Sequence, residues 1–127
     1  MMSTPILKLA NVSAGYKTVS TIHDVSLTME SGDAVAVIGA NGAGKTTMLR
    51  AIMGQIAMMD GEICFDGAVM TGMSTHQRAR LGIGYAPEGR QLFHAMTVTE
   101  NLEIGAARVS SSERRRRIEK MLEIFPK

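Results

Sequence analysis

The residues Gly39-Ala40-Asn41-Gly42-Ala43-Gly44-Lys45-Thr46 satisfy the pattern G-x-x-x-x-G-K-[ST] in full. Each residue type in it has a chemical reason. Glycines let the backbone curl tightly, with successive N–H groups turned inward toward phosphate oxygens. The start of a following helix adds unpaired N–H groups and partial positive charge. Lys45 supplies a full charge for β- and γ-phosphates, and the Thr46 hydroxyl can ligate Mg²⁺. The chemistry indicated is nucleotide binding through the phosphates. The flanks agree, since the apolar run "DAVAVI" comes directly before the loop and "MLRAIMG" follows Thr47.

Other residues of chemical interest form no such constellation. His23, His76 and His94 are far apart and show no ligand spacing with Cys64, so they read as structural or exposed. Asp66 follows the apolar "ICF" as a Mg²⁺-anchoring aspartate might, but Gly67 comes next, and the pair reads as hairpin chemistry. The Arg114–Arg117 run, four cations that oppose the dipole of the helix they begin, reads as a solvated helix face in preference to a nucleic-acid or lipid contact.

The elements that must position the loop follow from periodicity. "ILKLANV" and "HDVSLTME" read as strands, the second with Val25, Leu27 and Met29 on one face and Asp24, Ser26 and Thr28 on the other. "AVAVI" (34–38) is apolar on both faces, which predicts a strand covered on both sides in a parallel α/β sheet. A helix is predicted from about Lys45 to Met53, stopped at Gly54. "GEICFDGAVM" predicts a hairpin turning at Asp66-Gly67. Ser74 caps a short helix through "THQRAR", "IGYAP" reads as a short buried strand, and Thr97 or Thr99 caps a helix through "ENLEIGAA". Ser110 and Glu113 fit a capping box, ahead of an apolar stripe at Ile118, Met121, Leu122 and Phe125.

Bulk properties narrow the class. A chain of 127 residues, 45% hydrophobic and 20% charged, reads as one soluble globular domain. A net charge of +2 gives no argument for nucleic acid, and no nucleic-acid partner is expected. One cysteine rules out an internal disulfide and suits a reducing compartment. No apolar run approaches the roughly 20 residues of a membrane span, and the scattered methionines read as core filler.

The phosphate loop is shared by several nucleotide-binding families. "GANGAGKTT", "GEICFDG" and "IGYAPEGRQLFHAMTVTENLEIGA", in that order, resemble the N-terminal half of an ABC-type ATP-binding subunit. "PEGRQLF" followed by "MTVTENL" resembles in particular the ATPase subunits of bacterial branched-chain amino acid importers. The resemblance implies an α/β P-loop core with an N-terminal antiparallel β subdomain and the start of a helical subdomain, its sheet incomplete. It places nucleotide core and β subdomain at about 1–95 and the helical start at about 96–127. It implies ATP and Mg²⁺ as cofactors. Gly39 through Thr47 would cradle the phosphates, with Ala40, Asn41 and Ala43 in the loop, Lys45 as the catalytic cation and Thr47 at the α-phosphate. Tyr16 would stack on adenine. Glu88 stands where most of the family has glutamine, in a loop touching Mg²⁺ or the attacking water; a carboxylate there binds Mg²⁺ more strongly but repels the γ-phosphate. Arg90 reads as a loop surface residue.

The implied partners are a second ATP-binding subunit and transmembrane permease subunits, at the inner face of the cell membrane. No "LSGGQ"-like segment follows the loop, nor do the family's later aspartate–glutamate pair and histidine. The expectation is therefore that this chain binds nucleotide without appreciable hydrolysis. A partly built sheet and an uncovered apolar stripe would leave it marginally stable and prone to associate. Two other readings compete: a stand-alone, non-catalytic nucleotide-binding module, and an ABC-type ATPase of DNA repair.

Overall fold

The structure, a computed structural model, describes residues 4–89 and 91–126. The chain divides into two compact units, Met1–Tyr85 and Ala86–Lys127.

The first unit is built on an antiparallel sheet. Strands β1 (Leu7–Tyr16), β2 (Val19–Met29), β3 (Met58–Phe65) and β4 (Ala68–Val69) lie in the order β2-β1-β3-β4. Leu9 pairs with Leu27 on one side and with Ile63 on the other. The expected alternation holds along 24–29, where Val25, Leu27 and Met29 are half-buried and Asp24, Ser26 and Thr28 are exposed. The strand starts earlier than "HDVSLTME" suggested, because a bulge interrupts its period. Asp24 has φ 50° and Asn11, on β1, has φ 49°. Asn11 Nδ2 donates to Asp24 Oδ1 at 2.5 Å, and the Asp24 N–H donates to Ser13 Oγ at 3.0 Å. Each bulge shifts the buried set by one residue, so Ile22 and Val25, like Leu9 and Val12, are three apart and yet face inward. Gly61 on β3 completes the device, since a Cβ there would lie 2.4 Å from the Asn11 carbonyl oxygen.

The Asp66-Gly67 hairpin forms as expected. Both residues have positive φ, 46° and 76°, the requirement of a type I′ turn. Helix α1 (Lys45–Ile52) covers the sheet, burying Met48, Ala51 and Ile52 against Leu9, Val12, Ala14, Ile22 and Ile63. Gly54 follows with φ 69°, the left-handed stop predicted for it. Met48 and Met70 belong to the core, as expected of gap-filling methionines.

Two expected strands are not strands. Residues 34–38 and 83–87 form no ladder. A strand exists only beside a neighbour about 4.8 Å away, and among the described residues neither segment has one. Val35, Val37 and Ile38 are consequently 45%, 43% and 92% exposed, the reverse of a strand covered on both faces.

Helix α2 (Thr75–Arg80) closes the first unit, with a full Ser74–Gln77 capping box. In the second unit, Thr97 rather than Thr99 caps α3 (Val98–Gly105), again through a reciprocal box with Glu100. Asn101 ties the preceding loop to this helix, donating to Phe93 O at 3.2 Å and Thr97 O at 2.9 Å and accepting from the Phe93 N–H at 3.0 Å. Helix α4 (Ser111–Ile124) departs from its expected capping box. Ser110 Oγ accepts from the Glu113 N–H, but the Glu113 carboxylate turns the other way, to Arg116 at 2.8 Å and Arg117 at 2.6 Å. Two guanidinium groups within one turn outcompete a neutral amide for it. Arg114 is also not simply solvated, since its Nε donates to Ala106 O at 3.2 Å, at the end of α3. Neither α3 nor α4 has a buried residue, and Leu122 and Phe125 are 42% and 71% exposed.

Candidate functional site

The phosphate loop is the exposed stretch that leads into α1. Gly44 is the N-cap of that helix, in a left-handed conformation at φ 93° and ψ 6°. It is buried, and an added Cβ would lie 2.5 Å from Ile22 Cγ2, so the β2 side chain leaves room for glycine alone. The Ala43 N–H closes a turn on Ala40 O at 3.1 Å. No side chain caps the helix and its first turn holds no acidic residue. Both features are informative. A helix with an internal cap has spent its leading amides, whereas one without leaves them for an external acceptor, and an anion is the acceptor its dipole favours.

Lys45 is folded over this loop. Its Nζ donates to Gly39 O at 2.6 Å and to Ala40 O at 2.8 Å. The ammonium is thereby held at the loop by weak, neutral acceptors that a phosphate oxygen can displace. Thr46 is exposed beside it, while Thr47 is buried, at 6% exposure. The adjoining depression is small, about 120 Å³, with Ile22, Val25 and Met48 in its apolar floor. A larger depression of about 470 Å³ lies between α3 and α4, but its lining holds no phosphate-binding pattern. The loop is thus a surface cradle rather than a cavity. It fits a phosphate chain: an uncapped, positive helix end, a displaceable ammonium and an exposed hydroxyl.

Tyr16 ends β1 and is 43% exposed. Its Oη accepts a hydrogen bond from Arg50 Nη1 at 2.9 Å, which joins it to the helix that carries Lys45. The same contact, followed by a smaller one from Tyr85, raises the Arg50 pKa above its usual value. Glu88 belongs to the second unit and is exposed there. Arg90 lies outside the described residues. The three histidines are exposed, and no group of three or more metal-ligating side chains occurs among the described residues.

One residue that supports the site carries no sequence signal. Arg78, in the polar stretch "THQRAR", is 3% exposed. Its Nη1 donates to Ala51 O at 2.7 Å and Ile52 O at 2.8 Å, and its Nε to Met73 O at 3.1 Å. The guanidinium caps the C-terminal carbonyls of α1, at the end opposite the phosphate loop. Burial lowers its pKa. A helix-surface arginine and a buried one look alike in sequence; only the opposing carbonyls distinguish them.

Residues 22–126 match the family described as ABC transporter. The chain is 36% identical over 121 residues to a probable branched-chain amino acid transport ATP-binding protein, LivF, of Archaeoglobus fulgidus, covering 95% of this chain and 51% of that protein. It is 40% identical over 97 residues to the lipopolysaccharide export system ATP-binding protein LptB of Haemophilus influenzae, covering 76% and 40%. The chain therefore spans about half the length of the curated relatives it matches. Among solved structures it resembles an ATP-binding subunit of an ABC transporter with TM-score 0.83 and 30% identity, over 94% of this chain and 50% of that one. It also resembles a dimeric ATP-binding cassette in a post-hydrolysis state with ADP and Pi, with TM-score 0.76 and 28% identity, over 92% and 56%.

Proposed function

Because the chain belongs to the ABC transporter family, we propose that it is the phosphate-holding half of an ATP-binding subunit that powers import of branched-chain amino acids. The observation that carries the nucleotide reading is the uncapped N-terminus of α1 behind a glycine loop, with Lys45 resting on two displaceable carbonyls. Amides of Gly39 to Gly44, Ala43 once released from Ala40 O, would receive the phosphates, Lys45 would exchange Gly39 O and Ala40 O for phosphate oxygens, and the Thr46 hydroxyl would meet Mg²⁺. A metal held there by Thr46 would supply positive charge against the terminal phosphates. Thr47 is assigned to the α-phosphate, Tyr16 to the base, and Glu88 to the metal or the attacking water.

Import rather than export is favoured by "PEGRQLF" with "MTVTENL" and by the LivF likeness running along 95% of the chain, against 76% for LptB. The proposed partners are a second ATP-binding subunit, supported by the dimeric neighbour, and permease subunits at the inner membrane face. No helix among the described residues is long and apolar enough to cross a membrane itself. The 127-residue chain alone is expected to bind without turnover. The groups that stabilise transferred phosphoryl charge are worth on the order of 10³–10⁵ in rate, and the family's later motifs are not among its residues.

Calorimetric titration with MgATP tests this reading. Lys45→Ala should weaken binding about 10- to 150-fold, the worth of a hydrogen bond to a charged group. Unchanged affinity would overturn the assignment. Phosphate release measured on the same samples reports turnover, and a rate typical of intact ATPases would refute the inactive-half reading.

A further inference from the structure

The helix that begins at the phosphate loop also makes a long-range contact near its far end. Arg50 lies in the last turn of α1, on the same helix as Lys45 and about 7.5 Å further along its axis. Its Nη1 donates to Tyr16 Oη at 2.9 Å, across 34 residues of sequence. Tyr16 is the last residue of β1 and borders the turn at 17–18, where Lys17 has φ 56°. The phenol there is 43% exposed, and the guanidinium holds its hydroxyl end with a planar, directional donor that a lysine would not provide. The raised Arg50 pKa has this Tyr16 contact as its first cause.

We propose that Arg50 is a positioning residue for the nucleotide base: it ties the Tyr16 ring to α1, so that the base contact and the phosphate loop move as one body. The inference rests on the reading of the loop and Tyr16 as a nucleotide site. Its physical content is pre-organisation, because a ring already ordered loses less freedom when a base stacks on it. The alternative is a surface tie that only holds β1 against α1. The two differ in one respect: a tie supports every ligand of the loop equally, whereas a ring-positioning contact matters only to ligands that carry a base.

The test is calorimetric titration of the 127-residue chain with MgATP and, separately, with Mg²⁺ tripolyphosphate, which has the phosphates and no base. Arg50→Met should weaken ATP about 3- to 10-fold and leave tripolyphosphate within a factor of about 2. Tyr16→Phe keeps the ring and removes the acceptor, so it should weaken ATP by the same factor, and the double variant should lose no more than either single one. Equal loss of both ligands in Arg50→Met, or full ATP affinity in Tyr16→Phe, overturns the proposal. Equal affinity of the unmodified chain for ATP and tripolyphosphate overturns it too, and leaves the phosphate loop standing. If the unmodified chain binds neither, the site reading falls and this inference falls with it.

Discussion

Replacing Arg78 by methionine removes three hydrogen bonds from a side chain that is 3% exposed, while keeping much of its volume. The consequence follows acceptor by acceptor. Ala51 O also accepts the Gly54 N–H at 3.0 Å, so it keeps a partner. Ile52 O and Met73 O lose the guanidinium that serves them. A buried acceptor left unsatisfied costs about 1–3 kcal/mol, which applies in full to Ile52 O; the bond to Met73 O is only part-buried, where water can replace the donor, so the pair comes to about 1–4 kcal/mol. Relief of burying a charged group, visible in the lowered Arg78 pKa, offsets part of this. The net expectation is about 1–3 kcal/mol, or a fall in Tm of roughly 5–20 °C for a cooperative unit of this size. Arg78→Lys should recover no more than half, since a single ammonium cannot reach carbonyls of both α1 and the 70–74 turn in the same geometry. Urea melts followed by far-UV circular dichroism, with m-values checked for constancy, supply the measurement. A loss below about 0.5 kcal/mol for Arg78→Met, in the range of ordinary surface substitutions, would refute the capping argument, as would a lysine variant as stable as the unmodified chain.

Gly44→Ala places a Cβ 2.5 Å from Ile22 Cγ2 at a residue with φ 93°; it should cost about 1–3 kcal/mol in a urea melt and weaken MgATP together with it. Glu113 is depressed from 4.5 to about 2 by its bonds to Arg116 and then Arg117, so the sign is that of a stabilising carboxylate. Its contribution should be complete above about pH 4.5 and disappear as pH falls toward 2, seen as loss of α4 helicity that Glu113→Gln makes independent of pH over that window. Thr46→Ala should reduce the Mg²⁺ dependence of nucleotide affinity while leaving metal-free binding within a factor of about 2, read by titration with and without the ion; unchanged Mg²⁺ dependence would remove Thr46 from the metal assignment.

The loop and most helix starts were legible before any coordinate, and the reason is locality. A stop at Gly54, a turn at Asp66-Gly67 and a cap at Ser74 are each settled within about four residues. Backbone sterics and nearest amides decide them, and both can be written down from residue types. Strand phase was legible as far as the bulge and no further. Past Asp24 the inward set slips by one, because Asn11 and Gly61 on other strands shape the bulge.

Contacts between distant segments were out of reach of the residues read in order. "AVAVI" has the composition of a doubly covered strand, yet composition states an appetite for neighbours and not their presence; unpaired, the segment stays out in the solvent. Glu113 could reach back to its cap or forward to arginines, and the energies of two charge-assisted bonds against one neutral bond chose. Arg78 and Arg50 sit in ordinary polar helix positions, and each acquires its role from atoms 26 to 34 residues away. What the phosphate loop can hold is thus a property of a few adjacent residues, while the means by which its helix is gripped at the far end belong to the folded chain, where partners remote in sequence meet at hydrogen-bonding distance.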